Sequence, residues 1–477
     1  MLQAPMRYTM SISGLILLTA LHLTGCTENR TPAGQAEAVA APENDYVNGI
    51  TEQNKGNRRG AVTLAGTVAH APWARIYLYA TYGRINTRID SADVRNGAFA
   101  FPPIEVETGI YMVGPADNNL CPVILNPAEG EVNIRFQNAK ADAGMEAQNS
   151  PENQGWFAYF PNETNLLRQI RELRGKARKS SMPGEFEKQA VQKESELTKL
   201  QGDLIQRYPN TYLAKLLTWK QEPVKDDKMK YWDNIDFTDE SIIRCTVLTD
   251  RIQNFMRAFS RGEEGGFIDC IAIVAEKAKA NEVVLEFALN QMLTGFYESG
   301  MENISTYLID NYVHGDACGD AQFSSVIQNT AESIARLGVG KIPPNITGKG
   351  IDGKAIDLMK IAASKKFTLV MFWSSWCKHC KGEAPEITTC YNLYKDKGFE
   401  IVGYSVDQVD VAWRNAVAER VFEFPNLCGL NLWDSKSARD YRISRTPGFF
   451  LLDQKGTIVL KPKGIREVQA FLKANLG

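Results

Sequence analysis

The chain has 477 residues, of which 44% are hydrophobic and 23% charged, and its formal net charge is −2. These values are typical of globular proteins, and the length suffices for about three domains of ordinary size. With a pI near 6.2, the chain lacks the basic surplus that binds polyanions, so its composition excludes nucleic acid as the expected partner.

The N-terminus predicts export from the cytoplasm. Arg7 precedes an apolar run at residues 12–23, which is too short to span a bilayer and is typical of a secretory signal peptide. The LTGC run at 23–26 resembles the lipobox of bacterial lipoproteins, which implies removal of residues 1–25 and lipidation of Cys26. Thr27 replaces the aspartate that retains some lipoproteins at the inner membrane, so this analogy favours the outer membrane, facing the periplasm. An ordinary secretory signal with a chance cysteine is the alternative.

Two regions of different composition follow the predicted signal peptide. Residues 26–58 are rich in Ala, Glu, Pro, Asn and Gly and have no apolar period, which predicts a flexible tether. Residues 59–145 contain short segments of alternating polarity with frequent turn residues, and Asn96-Gly97 is a hairpin signal. This spacing predicts a small antiparallel β-sandwich, for which we expect a role as scaffold or partner-docking domain.

The middle of the chain, residues 150–340, is predicted to be mostly helical. Apolar residues recur at helical spacing on both sides of a Pro-Gly break at 180–184, which predicts a helical hairpin. Residues 242–259 are predicted to form one of several further amphipathic helices. This region contains no catalytic constellation, so we expect a spacer or a platform that presents substrates. Pro343-Pro344 marks its end, because proline blocks helix continuation.

The stretch most informative about function is FWSSWCKHCKGEAP at residues 372–385, which follows an apolar segment at 367–372. Two cysteines separated by two residues, where a buried strand meets a helix N-terminus, indicate a redox pair. Cys377 is predicted at the exposed helix end, where unpaired N–H groups and the helix dipole favour a thiolate. Cys380 lies one turn further in, within reach of a disulfide. The pattern therefore predicts that Cys377 attacks and Cys380 resolves.

A structural zinc half-site is the usual competitor of a CxxC redox pair. A second CxxC or paired histidines would be needed to complete such a site, and the sequence contains neither. His314 and Cys318 supply at most two ligands. We therefore expect no metal and no cofactor.

The pattern FWxxWCxxCxxExP resembles the TlpA/ResA-like branch of the thioredoxin-fold thiol-disulfide oxidoreductases. Downstream, GYSVD at 403–407 and RTPGFFLLD at 445–453 agree with it, and the second resembles the family's cis-proline loop followed by a strand. The resemblance covers roughly residues 341–477 and implies an α/β thioredoxin-like C-terminal domain. The preceding β-sandwich also resembles the N-terminal β-domain of some lipoproteins of this type. The expected fold is thus multidomain, with β-sandwich, helical and thioredoxin-like domains in that order.

The resemblance also implies an acid beside the cysteine pair. Thioredoxins proper carry a buried acid on the preceding strand, where this chain has Met371. Glu383 matches the glutamate of the family's CxxCxxE pattern, which implies that it accepts the proton of Cys380 during resolution. An exposed helix glutamate without such a role is the alternative.

Three further residues are expected near the substrate. The resemblance places a cis Thr446–Pro447 bond against the Cys377 sulfur, where the Thr446 backbone can pair with a substrate strand. Trp376 is expected to cover the redox pair, with core packing as its alternative; for Trp373 core packing is preferred.

Lys378 and His379 lie between the two cysteines. Cations near the helix N-terminus stabilise a Cys377 thiolate and make the disulfide more oxidising. A solvated histidine with little effect is the alternative. We expect both side chains to tune the pKa of Cys377.

The leading functional hypothesis is a membrane-anchored, extracytoplasmic enzyme that exchanges disulfides with protein substrates and contributes to cell redox homeostasis. The family resemblance implies a membrane electron donor of the thiol-disulfide type and predominantly reductive action, although His379 leaves the oxidative direction open. A peroxiredoxin-like peroxidase shares the fold; Ser374 could stand for its threonine, but Val370 occupies the place of its proline. The third hypothesis is a non-enzymatic, partner-binding lipoprotein with a thioredoxin scaffold.

Overall fold

The computed structural model describes residues 59–69, 73–315 and 323–477. The predicted signal peptide, the lipidation site Cys26 and the tether lie outside the described residues. The chain divides into two compact units. The first contains the described residues up to Met292 together with 323–326, and the second contains Leu293–Gly315 and Ile327–Gly477. The sequence-based domain boundaries stay predictions.

The N-terminal region is β-rich, as predicted. Its strands are β1 (Gly60–Val68), β2 (Arg75–Tyr82), β3 (Ile85–Asp93), β4 (Ala98–Ala100), β5 (Ile104–Val106), β6 (Gly109–Ala116), β7 (Asn119–Leu125), β8 (Glu131–Phe136) and β9 (Met145–Ala147). In the described residues one sheet has the order β4-β1-β8-β9, with β5 also paired to β1, and the other has the order β3-β2-β6-β7.

The Asn96-Gly97 pair forms the predicted turn. Both residues have positive φ, 52° and 74°, which is the backbone of the tight turns that suit twisted strands. The sequence predicts antiparallel pairing throughout, whereas β1 and β8 run parallel, with Leu64 opposite Val132. The difference arises because β8 is distant in sequence from β1, and short-range turn signals do not report on such pairs.

The middle region is helical, as predicted. Its α-helices in the described residues are Pro151–Ala177, Pro183–Arg207, Tyr212–Lys220, Val247–Phe259, Glu264–Ala278, Glu282–Glu298, Glu302–Leu308 and Ser325–Arg336. The single helix predicted at 242–259 is wrong at its start. A 3₁₀ turn at Glu240–Arg244 precedes the helix, and Cys245 between them is extended.

The C-terminal region has the expected α/β thioredoxin-like fold. Its strands are β10 (Thr347–Lys349), β11 (Ala355–Asp357), β12 (Phe367–Trp373), β13 (Phe399–Ser405), β14 (Asn426–Cys428), β15 (Gly448–Asp453) and β16 (Ile458–Leu460). Its helices are Leu358–Ala363, Lys378–Tyr394, Asp410–Glu419, Lys436–Asp440 and Ile465–Leu476. The central sheet has the order β14-β13-β12-β15-β16, with β12 parallel to β13 and antiparallel to β15.

Strand β12 is central in this sheet, which explains its continuous apolar sequence. Leu369 to Trp373 are all buried, as expected for a strand covered on both faces. Burying such side chains contributes roughly 1.5–3 kcal/mol each. The redox helix (Lys378–Tyr394) therefore follows the central, buried strand of the sheet.

The segment Leu293–Gly315 belongs to the same compact unit as the thioredoxin-like domain. The Nζ atom of Lys461, just after β16, lies 2.6 Å from a carboxylate oxygen of Glu302. It also lies 4.4 Å from the centre of the Tyr297 ring, a cation–π geometry. Lys461 thereby connects the end of β16 to the segment Leu293–Gly315 within this unit.

Candidate active site

The redox pair lies where β12 leads into the redox helix. Cys377 and Cys380 form a disulfide, with their Cα atoms 5.3 Å apart. Cys377 is the N-cap residue, and its Sγ accepts a hydrogen bond from the backbone N–H of Cys380 at 3.0 Å. An N–H aimed at this sulfur, together with the positive end of the helix dipole, favours the thiolate form of Cys377.

The burial of Cys377 differs from the expectation, whereas that of Cys380 agrees with it. Cys377 was expected at an exposed helix end, yet it is only 6% exposed, and Cys380 is 2% exposed. The reason lies in the loop before β15: the carbonyl oxygen of Thr446 is 3.4 Å from the Cys377 Sγ. Cys377 is still the more exposed of the two residues.

The Thr446–Pro447 peptide bond is cis, and it lies against the Cys377 sulfur, so the predicted geometry is confirmed. Both residues are half-buried. Thr446 therefore presents backbone groups at the rim of the redox site, where an extended segment can hydrogen-bond. Their role in substrate binding stays a prediction.

The side chain of Trp376 is not packed in the core. Its side chain is 54% exposed and makes an edge-to-face contact with Trp433, with ring centroids 5.9 Å apart. Trp373, by contrast, is fully buried and donates from Nε1 to Asn426 Oδ1 at 3.1 Å, as the core-packing interpretation predicts. Trp433 was missed by sequence reasoning, because its 3₁₀ turn at Leu432–Asp434 carries no periodic pattern.

Glu383 is half-buried, as predicted. Its Oε2 atom accepts a hydrogen bond from the Ile465 N–H at 3.2 Å, at the start of the closing helix (Ile465–Leu476). Because helix N-termini have unpaired N–H groups, this contact stabilises the closing helix and fixes the glutamate rotamer. The role of Glu383 as proton acceptor for Cys380 stays a prediction.

Lys378 and His379 are both exposed on the first turn of the redox helix. Solvent screens exposed charges, so any effect of either cation on the Cys377 thiolate is modest. Their role in tuning the pKa of Cys377 stays a prediction.

A buried carboxylate holds the loop that precedes the redox pair. Asp407 is 2% exposed and accepts from the N–H of Ser375 at 2.9 Å and from its hydroxyl at 2.6 Å. The hydroxyl of Ser405 also donates to Asp407, at 2.6 Å. Asp407 ends the GYSVD run, which has no role of its own for this residue. An acid directly after a buried strand is the sequence signal that points to it.

Other thiols of the domain are poor nucleophiles. Burial raises the pKa of Cys390 to about 12, and it also raises the pKa of Cys428. The Cys428 Sγ lies 3.4 Å from the carbonyl oxygen of Asp407. Because the thiolate is the reactive form, exchange chemistry is concentrated at the CxxC pair.

The described residues contain neither a candidate metal site nor a helix that could span a membrane. Among residues 59–69, 73–315 and 323–477, no group of three or more His, Cys, Asp or Glu side chains is arranged to hold a metal ion. Cys318 lies outside these ranges. Within the same ranges, every helix is too short or too polar to cross a membrane.

The chain resembles known redox proteins in part of its length. Residues 339–461 match the model of the AhpC/TSA family. Thiol-disulfide oxidoreductase ResA of one Bacillus cereus strain is 30% identical over 141 residues, which are 29% of this chain and 79% of that protein. ResA of a Bacillus thuringiensis subsp. konkukian strain is 29% identical over 159 residues, which are 33% of this chain and 88% of that protein. A solved thioredoxin domain of a thiol-disulfide oxidoreductase from Bacteroides vulgatus is 30% identical, with a TM-score of 0.28, and the match covers 30% of this chain and 99% of that one.

The geometry predicts which sulfur reacts first. After reduction, brief alkylation near neutral pH is expected to label Cys377 well before Cys380, because Cys377 is the more accessible and faces the Cys380 N–H. Mass spectrometry of the peptides measures the order. Buried Cys390 provides the internal control and should stay unlabelled in the native protein. Labelling of Cys380 ahead of Cys377 would reverse the assigned roles.

Proposed function

The chain belongs to the ResA-like family of thioredoxin-fold thiol-disulfide oxidoreductases, and from this we propose that it reduces disulfides of protein substrates in the cell envelope. The observation that supports the proposal is the Cys377–Cys380 disulfide at a helix N-terminus, with the Thr446 carbonyl 3.4 Å from the attacking sulfur. This arrangement combines a stabilised thiolate with a backbone edge for the substrate.

The proposed reaction consists of two exchanges. The Cys377 thiolate attacks one sulfur of a substrate disulfide, forms a mixed disulfide and releases the other substrate sulfur as a thiolate, which takes up a proton. Cys380 loses its proton to Glu383 and attacks the Cys377 sulfur. This breaks the mixed disulfide and releases the second substrate sulfur as a thiolate, which takes up a proton. The substrate is then fully reduced, and Cys377–Cys380 is oxidised. Two electrons from a partner dithiol must reduce the pair again before the next cycle.

The reductive direction requires an electron donor of the thiol-disulfide type in the membrane. In an oxidising compartment a CxxC pair stays reduced only if a donor supplies electrons faster than substrates consume them. Rapid acid quenching of cells followed by alkylation measures the state of Cys377 and Cys380 directly. A mainly reduced pair supports the reductase, and a mainly oxidised pair would assign the oxidative direction instead.

We further propose that the substrate segment lies between the Trp376–Trp433 contact and the Thr446–Pro447 backbone. Exposed aromatic rings provide apolar area, and the backbone groups provide hydrogen bonds that do not depend on the substrate sequence. The β-rich and helical regions act as scaffold or as platform for partners.

We propose that a lipid on Cys26 anchors the protein to the membrane. This proposal rests on the LTGC run at residues 23–26. One acyl chain gives only marginal membrane binding, whereas several hold a protein firmly. Cys26→Ala is therefore expected to release the protein from membranes or to stall its processing, with the outer membrane as the wild-type location. Fractionation of cells measures this. Wild-type distribution of the variant between the fractions would exclude lipidation as the anchor.

A peroxiredoxin-like peroxidase remains the second candidate, because residues 339–461 match the AhpC/TSA model. Its requirements fit less well: the Ser374 hydroxyl is buried and makes no hydrogen bond within the described residues, and Val370 is fully buried in β12. Consumption of hydrogen peroxide by the reduced protein distinguishes the two enzymes. A protein without turnover on either substrate would support the non-enzymatic, partner-binding lipoprotein.

A further inference from the structure

One arginine binds the backbone of the loop that leads into the redox pair. The guanidinium of Arg420 donates from Nη1 to the Ser374 carbonyl at 3.1 Å and from Nη2 to the Ser375 carbonyl at 2.8 Å. The planar fork of arginine suits two neighbouring acceptors, which a lysine cannot bind in the same way. The Ser374 carbonyl also accepts from the Cys377 N–H, at 3.4 Å. Arg420 is thus connected to Cys377 through one shared carbonyl group.

Arg420 is itself held in place from three directions. It is the C-cap residue of the helix Asp410–Glu419. Its guanidinium lies 4.9 Å from the centre of the buried Trp373 ring, and its backbone carbonyl accepts from the hydroxyl of Thr388 on the redox helix at 3.2 Å. Burial lowers the pKa of Arg420, but a guanidinium remains charged in proteins. The hydrogen bonds from Arg420 therefore place a fixed positive charge at the Ser374–Ser375 loop, which we call the redox loop.

The loop is held on its other side by Asp407. This carboxylate binds the Ser375 N–H and hydroxyl, while Arg420 binds the Ser375 carbonyl. The peptide groups around Ser375 are therefore fixed by two opposite charges. If the arginine charge were removed, the carboxylate would remain, and it would disfavour a nearby thiolate.

We propose that Arg420 is a positioning residue for the exchange reaction, which fixes the Ser374–Ser375 loop so that Cys377 keeps its N-cap geometry and its thiolate is stabilised. The reduced pair, one thiolate and one thiol, forms from the disulfide with two electrons and one proton. Stabilising that thiolate raises the reduction potential of the pair. A neutral Arg420 variant loses the two hydrogen bonds to the loop and also the positive charge. Both losses destabilise the thiolate and therefore lower the reduction potential of the pair. The inference rests on the thiol-disulfide chemistry of the pair and not on its proposed substrate or direction.

The test measures two properties of the purified protein: the pH dependence of Cys377 alkylation and the reduction potential from equilibration with a dithiothreitol buffer. Arg420→Gln is expected to destabilise the thiolate about tenfold, which raises the apparent pKa of Cys377 by about one unit. For a two-electron couple, a tenfold change lowers the potential by about 30 mV. Arg420→Lys retains the charge but cannot bind both carbonyl groups in the same way. We therefore expect it to destabilise the thiolate less, about threefold.

Arg414→Gln is the matched control, because Arg414 is on the same helix and binds Asp410 and the Ile351 carbonyl instead of the redox loop. It should keep the wild-type pKa and potential. A merely structural role of Arg420 would lower thermal stability without moving either property of the folded protein. Wild-type values in Arg420→Gln overturn the proposal. If that variant does not fold, wild-type values in Arg420→Lys overturn it.

Discussion

Replacing Cys377 with serine is expected to abolish disulfide reduction, lowering turnover by at least about a thousandfold, to the rate of dithiothreitol alone. A serine hydroxyl is a far weaker nucleophile than a thiolate, and the other thiols of the domain are held protonated by burial. Reduction of insulin by dithiothreitol, followed by turbidity, measures the effect. Cys390→Ser is the control: its thiol is 1% exposed, so this variant should retain wild-type turnover.

The result that would contradict this account is residual turnover in Cys377→Ser above the uncatalysed rate. Such activity would move the nucleophile to another thiol, for instance Cys428, which is only half-buried. Equal loss of turnover in Cys390→Ser would indicate instead that any cysteine substitution disrupts the domain.

Glu383→Gln is expected to slow the exchange about a hundredfold and to flatten its dependence on pH. A positioned general base contributes roughly 10²–10⁴ to rate, and an amide cannot take the proton from Cys380. The substitution should spare the fold, because the glutamine carbonyl oxygen can still accept from the Ile465 N–H that Glu383 binds. Stopped-flow measurement of the resolving step across a pH series gives both quantities.

Glu386 provides the matched control for Glu383. It lies on the same helix, is half-exposed and pairs with Arg466 at 2.9 Å. That contact holds the pKa of Glu386 below its ordinary value. Glu386→Gln should leave the pH–rate profile unchanged. If the profile of Glu383→Gln also overlays that of wild type, Glu383 serves only as the cap of the closing helix.

The parts of the site that sequence predicted are those encoded by local patterns. The apolar run of β12, the spacing of Cys377 and Cys380 and the loop at Thr446 lie in three short stretches, each with its own signature. Periodicity and turn residues report on such neighbours in sequence.

The parts that sequence missed depend on contacts between distant segments. Arg420 is 45 residues from Ser375, to which it donates, and Asp407 is 32 residues from the same serine. Nothing in the local composition distinguishes this arginine from exposed Arg414 on the same helix. The burial of Cys377 was missed for the same reason, since the covering group is the carbonyl of Thr446, 69 residues away.

The central claim is that Cys377 attacks a substrate and Cys380 resolves the product, and mixed-disulfide trapping tests it most directly. In cells that produce Cys380→Ser, the second exchange cannot occur, so covalent complexes with substrate proteins should accumulate. Mass spectrometry of the purified complexes should find the substrate cysteine joined to Cys377, and reducing agent should release the substrate. Complexes joined through a different cysteine, or no more complexes than in the Cys377→Ser/Cys380→Ser double variant, would contradict the account.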